Sequence, residues 1–72
     1  MHKELVRNVI NERIGELAVG LGDPVEATEI VLGAFGWLRL ENGLYRARGA
    51  SGQGIRAEQC VDYMATALTD GI

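Results

Sequence analysis

The stretch Trp37-Leu-Arg-Leu-Glu-Asn-Gly-Leu-Tyr-Arg-Ala-Arg48 decides how this chain is read. Asn42-Gly43 stands at its centre, with apolar and polar residues alternating on either side. Asn-Gly between alternating hydrophobics is the strongest short-range hairpin signal, because both residues accept the positive φ that a type I′ turn requires. With Asn42 and Gly43 as a two-residue turn, Glu41 faces Leu44, Leu40 faces Tyr45 and Arg39 faces Arg46. Leu38 then faces Ala47, and Trp37 faces Arg48. Period-2 alternation puts Leu38, Leu40, Tyr45 and Ala47 on one side, against the rest of the domain. Trp37, Arg39, Arg46 and Arg48 share the other side.

Outward from the hairpin, the chain reads as helix. Toward the N-terminus, Leu5, Val6, Val9, Ile10, Ile14, Leu17, Ala18 and Leu21 recur at three- and four-residue spacing, giving one helix over 3–21. Gly15 falls inside this run, at about 1 kcal/mol relative to Ala, and is a candidate break into two shorter helices. Gly20 and Gly22 are the stop signals. Asp23-Pro24-Val25-Glu26 starts a second helix, with Asp23 as cap and Pro24 in the first turn, where a missing N–H costs nothing. The spacing predicts an end near Gly36; one more turn to about Leu40 is the alternative. On the C-terminal side, Gly49-Ala-Ser-Gly-Gln-Gly54 is a glycine-rich loop. A third helix follows from about Ile55 to Thr69, ended by Gly71, with Ala57, Cys60, Val61, Met64, Ala65 and Leu68 as its apolar stripe. The expectation is one α+β domain over residues 1–72, helix–helix–hairpin–helix, with neither repeats nor linkers.

Composition bounds the function. Seventy-two residues bury only about 60% of their unfolded surface, so a homodimer, through helix 55–69 or the first helix, is expected to supplement the core. One cysteine, Cys60, and one histidine, His2, offer no disulfide and no metal-binding set. Charges run through the first thirteen residues, unlike a secretion signal, and no run of eighteen apolar residues occurs, so a cytoplasmic protein is expected. No His–Cys or Ser–His pair can be assembled, so neither catalysis nor a cofactor is expected. The net charge is −3, yet residues 37–56 carry +3 locally and the remainder −6. That asymmetry disfavours a general affinity for nucleic acid and permits a local one.

Two resemblances follow from quoted residues. Glu16-Leu17-Ala18-x-x-Leu21-Gly22-Asp23-Pro24 resembles the turn of winged helix-turn-helix domains, and Gly36-Trp37-Leu38 with Glu41-Asn42-Gly43-Leu44 looks like the passage into that family's wing. The resemblance covers about residues 12–48. It implies a first helix over 3–13, a second over 15–21, a recognition helix from 24 to 36 or beyond, and DNA binding. The recognition helix offers Glu26, Thr28 and Glu29 where base and phosphate contacts need cations and amides, which turns the expectation toward protein binding. Ser51-Gly52-Gln53-Gly54-Ile55-Arg56 resembles the coenzyme A loop of the GNAT acetyltransferases. That motif places Arg or Gln where Gly49 stands, and the chain is about half the length of that fold, so enzyme homology is not carried over. Successive N–H groups before a helix could still seat an anion.

The candidate partner-binding residues are therefore Trp37, Arg39, Arg46 and Arg48. The candidate anion site is Arg56 with Gly52 and Gly54. Like charges opposed across strands, as Arg39 and Arg46 would be, destabilise a sheet and ask for an acidic partner. The functional expectation is a small regulator or inhibitor that binds an acidic protein surface through the Trp/Arg side of the hairpin. A nucleic-acid or nucleotide binder using the arginines and the glycine loop is the alternative.

Overall fold

The computed structural model describes residues 2–70. Its elements are α1 (Lys3–Leu21), α2 (Pro24–Ala34), β1 (Trp37–Arg39), β2 (Tyr45–Ala47) and α3 (Ala57–Asp70). This is an α+β fold in the expected order, helix, helix, hairpin, helix. The Cα frame measures 34 × 32 × 15 Å. With a helix about 10 Å across, that is a plate no more than two elements thick.

α1 runs without interruption for 19 residues, through Gly15. The division into helices at 3–13 and 15–21, which the winged-helix resemblance called for, is not found. One internal glycine costs about 1 kcal/mol, less than the burial of the apolar stripe on either side of it returns. Val6 and Ile10 are buried and Ile14 packs against them, on one four-residue row. Gly22 closes the helix at φ 71°, its N–H donating to Ala18 O at 2.8 Å. Asp23 caps α2 as expected, its carboxylate accepting from Val25 N (3.0 Å) and Glu26 N (3.2 Å). α2 stops at Ala34, and Gly36 turns the chain at φ 92°. The longer helix to Leu40 is excluded, because Trp37–Arg39 is strand.

The hairpin forms, but its register differs by one residue from the sequence expectation. Trp37 pairs with Ala47, Leu38 with Arg46 and Arg39 with Tyr45. A type I′ turn needs positive φ at both central residues, and among the described residues only glycines have positive φ. Asn42 therefore takes an ordinary conformation, and the loop lengthens to Glu41-Asn42-Gly43. Gly43 alone is left-handed, at φ 83°, and donates its N–H to Leu40 O at 2.9 Å. Asn42 instead works with its side chain, Oδ1 accepting from Leu44 N (3.0 Å) and Nδ2 donating to Gln53 O (3.2 Å). The shift turns over β1 alone, since successive side chains alternate faces. Trp37 and Arg39, not Leu38 and Leu40, now lie on the helix side with Tyr45 and Ala47, and Leu38 is 41% exposed. Arg39 and Arg46 no longer oppose each other.

The glycine loop is a strap over the outer side of the hairpin. Tyr45 and Ile55 exchange two backbone hydrogen bonds, each 2.7 Å, so Tyr45 is paired on both edges. That pairing takes Ile55 out of α3, which begins at Ala57; the expected end at Gly71 lies outside the described residues. The core gathers Val6, Ile10, Leu32, Tyr45, Cys60, Val61, Met64 and Ala65, with Leu32 and Cys60 fully buried.

Two glycines make opposite tests of this packing. A Cβ on Gly54 (φ 90°) would stand 2.7 Å from Tyr45 O and 2.9 Å from Leu40 Cδ1, whereas one on Gly15 meets nothing within 4 Å. Gly54→Ala should cost at least about 2 kcal/mol and lower Tm by roughly 10 °C. Gly15→Ala should gain about 1 kcal/mol and raise Tm by roughly 4–8 °C. Thermal melts followed by circular dichroism would read both.

Candidate protein-docking site

The structure separates the residues that the sequence grouped. Trp37 leaves the arginines and joins an aromatic cluster, its ring 6.4 Å from that of Tyr63 at an interplanar angle of 32°. Such tilted pairs contribute about 0.5–1.5 kcal/mol beyond the area they bury. Phe35 stands at the end of α2, and Met64, Ala67 and Leu68 come from α3. Together with Gly36 and Ala47 these side chains line a groove of about 450 Å³. Its floor is the buried Met64, and its rims are exposed: Phe35 by 51%, Tyr63 by 61% and Leu68 by 45%. No lining residue is Asp, Glu, Lys or Arg.

The groove lies between α3 and the turn that leads from α2 into the hairpin. The apolar stripe of α3 continues from the buried Val61 and Met64 to the exposed Leu68, which lines the groove with Trp37 of β1 and Phe35-Gly36. Phe35, Met64 and Leu68 were legible as apolar stripe positions. Tyr63 belongs to neither stripe nor polar face, and the available signal was its spacing to Ala67 on an apolar ridge beside the stripe.

The arginines go three ways. Arg39 is exposed on the helix side of the hairpin, beside Pro24, Val25 and Thr28. Arg48 is exposed, and its backbone N–H donates to Gly36 O at 2.9 Å, next to the groove. Arg46 was expected in solvent opposite Arg39. It lies half-buried opposite Leu38, and its Nη1 donates to Gly52 O at 3.1 Å. Its Nε is buried without a hydrogen-bond partner. The guanidinium therefore holds the strap.

The expected anion site is not brought together either. The strap turns carbonyls, those of Gly52 and Gln53, toward the hairpin donors, where an anion would need N–H groups. Gly54 is pressed against Tyr45. Arg56 points away into a polar cleft of about 550 Å³ with Arg7, Asn11, Gln59, Asp62 and Tyr63. Its own backbone N–H donates to Gln59 Oε1 at 3.1 Å. The charges of that cleft are already matched: Asp62 takes Lys3 (3.1 Å) and Arg7 (2.9 Å), and Arg56 lies 3.7 Å from Glu58.

Asp62 ties α3 to the first turns of α1. The Lys3 hydrogen bond, with Arg7 adding to it, holds its carboxyl below the ordinary carboxylate value. Cys60 is the opposite case: burial pushes its thiol up to about 11, leaving it protonated and unreactive at neutral pH. Burial likewise raises Tyr45, against the opposing influence of Arg39 across the strands. Among the described residues no group of His, Cys, Asp and Glu could hold a metal ion, and no helix is long and apolar enough to cross a membrane.

The chain matches no protein-family model, no curated protein and no solved structure. Function must therefore be argued from the site alone.

Two measurements check the polar anchors. Arg46→Glu sets a carboxylate against the Gly52 carbonyl, so it should destabilise by about 1–2 kcal/mol and lower Tm by roughly 5–10 °C. An unchanged or higher Tm would mean that the guanidinium does not hold the strap. For Asp62 the folded value lies below the unfolded one near 3.8, so its stabilisation is complete above pH 3.8 and is lost as acid titrates the carboxyl beneath it. Asp62→Asn should accordingly melt below the wild type at pH 6 and converge on it toward pH 2. The gap should be small, because the ion pairs are exposed.

Proposed function

We propose that this chain is a non-enzymatic interaction module that docks a protein on the groove between Phe35, Trp37, Tyr63 and Leu68. One observation carries this reading: three of the four aromatic residues of the chain meet at one apolar hollow, and two of them stand half in solvent. Half-exposed aromatics around an apolar recess are the composition of interface hot spots, where a few anchors supply most of the binding energy. Arg39 and Arg48, both exposed on the hairpin, lie outside the groove lining and can steer encounter more than they add affinity.

This revises the expected contact surface. Trp37 remains its centre, but the groove replaces the arginine row, because Arg46 is committed to Gly52 and Arg56 lies in another cleft. Nucleic-acid binding loses its support with the row, since phosphate recognition depends on several cations converging on one surface. The cytosol as the place of action fits the single cysteine, which is free and buried.

Site-specific photocrosslinking tests the reading. Benzoylphenylalanine in place of Phe35 should give a discrete protein adduct in cells, and the same residue in place of Val19, 86% exposed on α1, should not. Adding Leu68→Glu to the Phe35 probe should abolish the adduct while leaving the circular dichroism spectrum unchanged. Equal adducts at both positions, or none at Phe35, would remove the groove as a docking site.

A further inference from the structure

We infer that the protein seated in this groove is a second copy of the same chain, paired about a two-fold axis through the Tyr63–Leu68 segment of α3. The inference rests on the docking reading above and names its partner.

Surface area is the first argument. A folded 7.8 kDa monomer is expected to expose about 4,400 Å². This chain exposes 4958 Å², roughly 550 Å² more than that average. The excess is of the order that one partner buries in a small specific interface, about 800 Å² in a standard one. A plate 15 Å thick buries one core but leaves Phe35, Tyr63 and Leu68 exposed, and stacking on a second plate would cover them.

Charge is the second. In a two-fold contact the residues at the axis face their own images, so charge of one sign centred there meets like charge. The chain carries a net −3, with +3 concentrated between residues 37 and 56, so a region of either sign centred on the axis would repel its copy. The groove lining holds no charged residue, so it meets its image without repulsion.

Shape is the third. The hollow over Trp37 and Met64 lies beside a ridge of its own chemistry, Tyr63, Ala67 and Leu68. In an isologous pairing the ridge of each copy enters the hollow of the other. Ala67, exposed and small, lets the two α3 helices approach closely.

Sedimentation velocity, with Trp37 emission read in parallel, tests this from about 5 to about 500 µM, the span in which a small interface dissociates. The expected result is a species of twice the 7.8 kDa chain mass, with Trp37 emission moving to shorter wavelengths as it forms. Leu68→Glu should weaken association at least tenfold and Val19→Glu should leave it unchanged. Tyr63→Glu, at a more exposed position, repeats the test if Leu68→Glu unfolds. A 7.8 kDa species throughout the range overturns the inference, as does a dimer indifferent to both groove variants. The two readings fail separately. A Phe35 crosslink to some other protein sinks self-pairing and keeps the docking groove, a crosslink at twice the chain mass supports both, and no crosslink at Phe35 removes both.

Discussion

Tyr45 stands between two strand partners, with both of its backbone hydrogen bonds made to Ile55, and the rest of the structure hangs on that. On one side it pairs with Arg39 in the hairpin, and on the other it exchanges two 2.7 Å hydrogen bonds with Ile55. Its side chain is 3% exposed and packs in the core with Leu32 and Cys60. A two-stranded hairpin is barely stable by itself in water. Here the Ile55 pair adds a third edge, fixes where the strap ends, and sets α3 running from Ala57 across the core. Gly54 is the consequence: only a residue without a Cβ can pass so close to Tyr45 O. The Arg46 and Asn42 side chains then secure the strap by its carbonyls.

The groove follows from the same constraint. With α3 started at Ala57, Leu68 falls near its far end and stands 45% exposed on the groove beside Phe35 and Trp37. Among the described residues no further element covers it. In the polar cleft the charges are paired internally, Asp62 with Lys3 and Arg7. The groove is thus a surface lined without charge at which the core residue Met64 reaches solvent. Association is the physical remedy for such an opening, and small domains use it commonly.

Much of this was legible in the chain itself. Helix positions follow from the three- and four-residue apolar spacing, and the Asp23-Pro24 start from the chemistry of capping, because both are interactions within a few residues. The presence of a hairpin at Asn42-Gly43 was legible for the same reason. Cys60 was readable as a buried small hydrophobe from its place on the stripe, and its suppressed ionisation follows from that burial. Of the candidate binding residues, Trp37 and Arg39 share one side of the hairpin and Arg46 lies on the other, so the arginine row dissolves.

What local pattern left undecided was settled by distant contacts. Asn-Gly permits a two-residue turn, yet the three-residue loop wins, with Asn42 bonded to Gln53, eleven residues away. That single step of register turned β1 over, putting Trp37 on Tyr63 and Arg46 on Gly52. No periodicity within β1 could predict it, because Trp-Leu-Arg-Leu alternates acceptably on either face. The sequence by itself determined which segments are helix, where they are capped and that a hairpin lies between them. The tertiary structure decided the register, the role of each arginine and the site of the groove, because these depend on which far segments each strand edge and helix end meets.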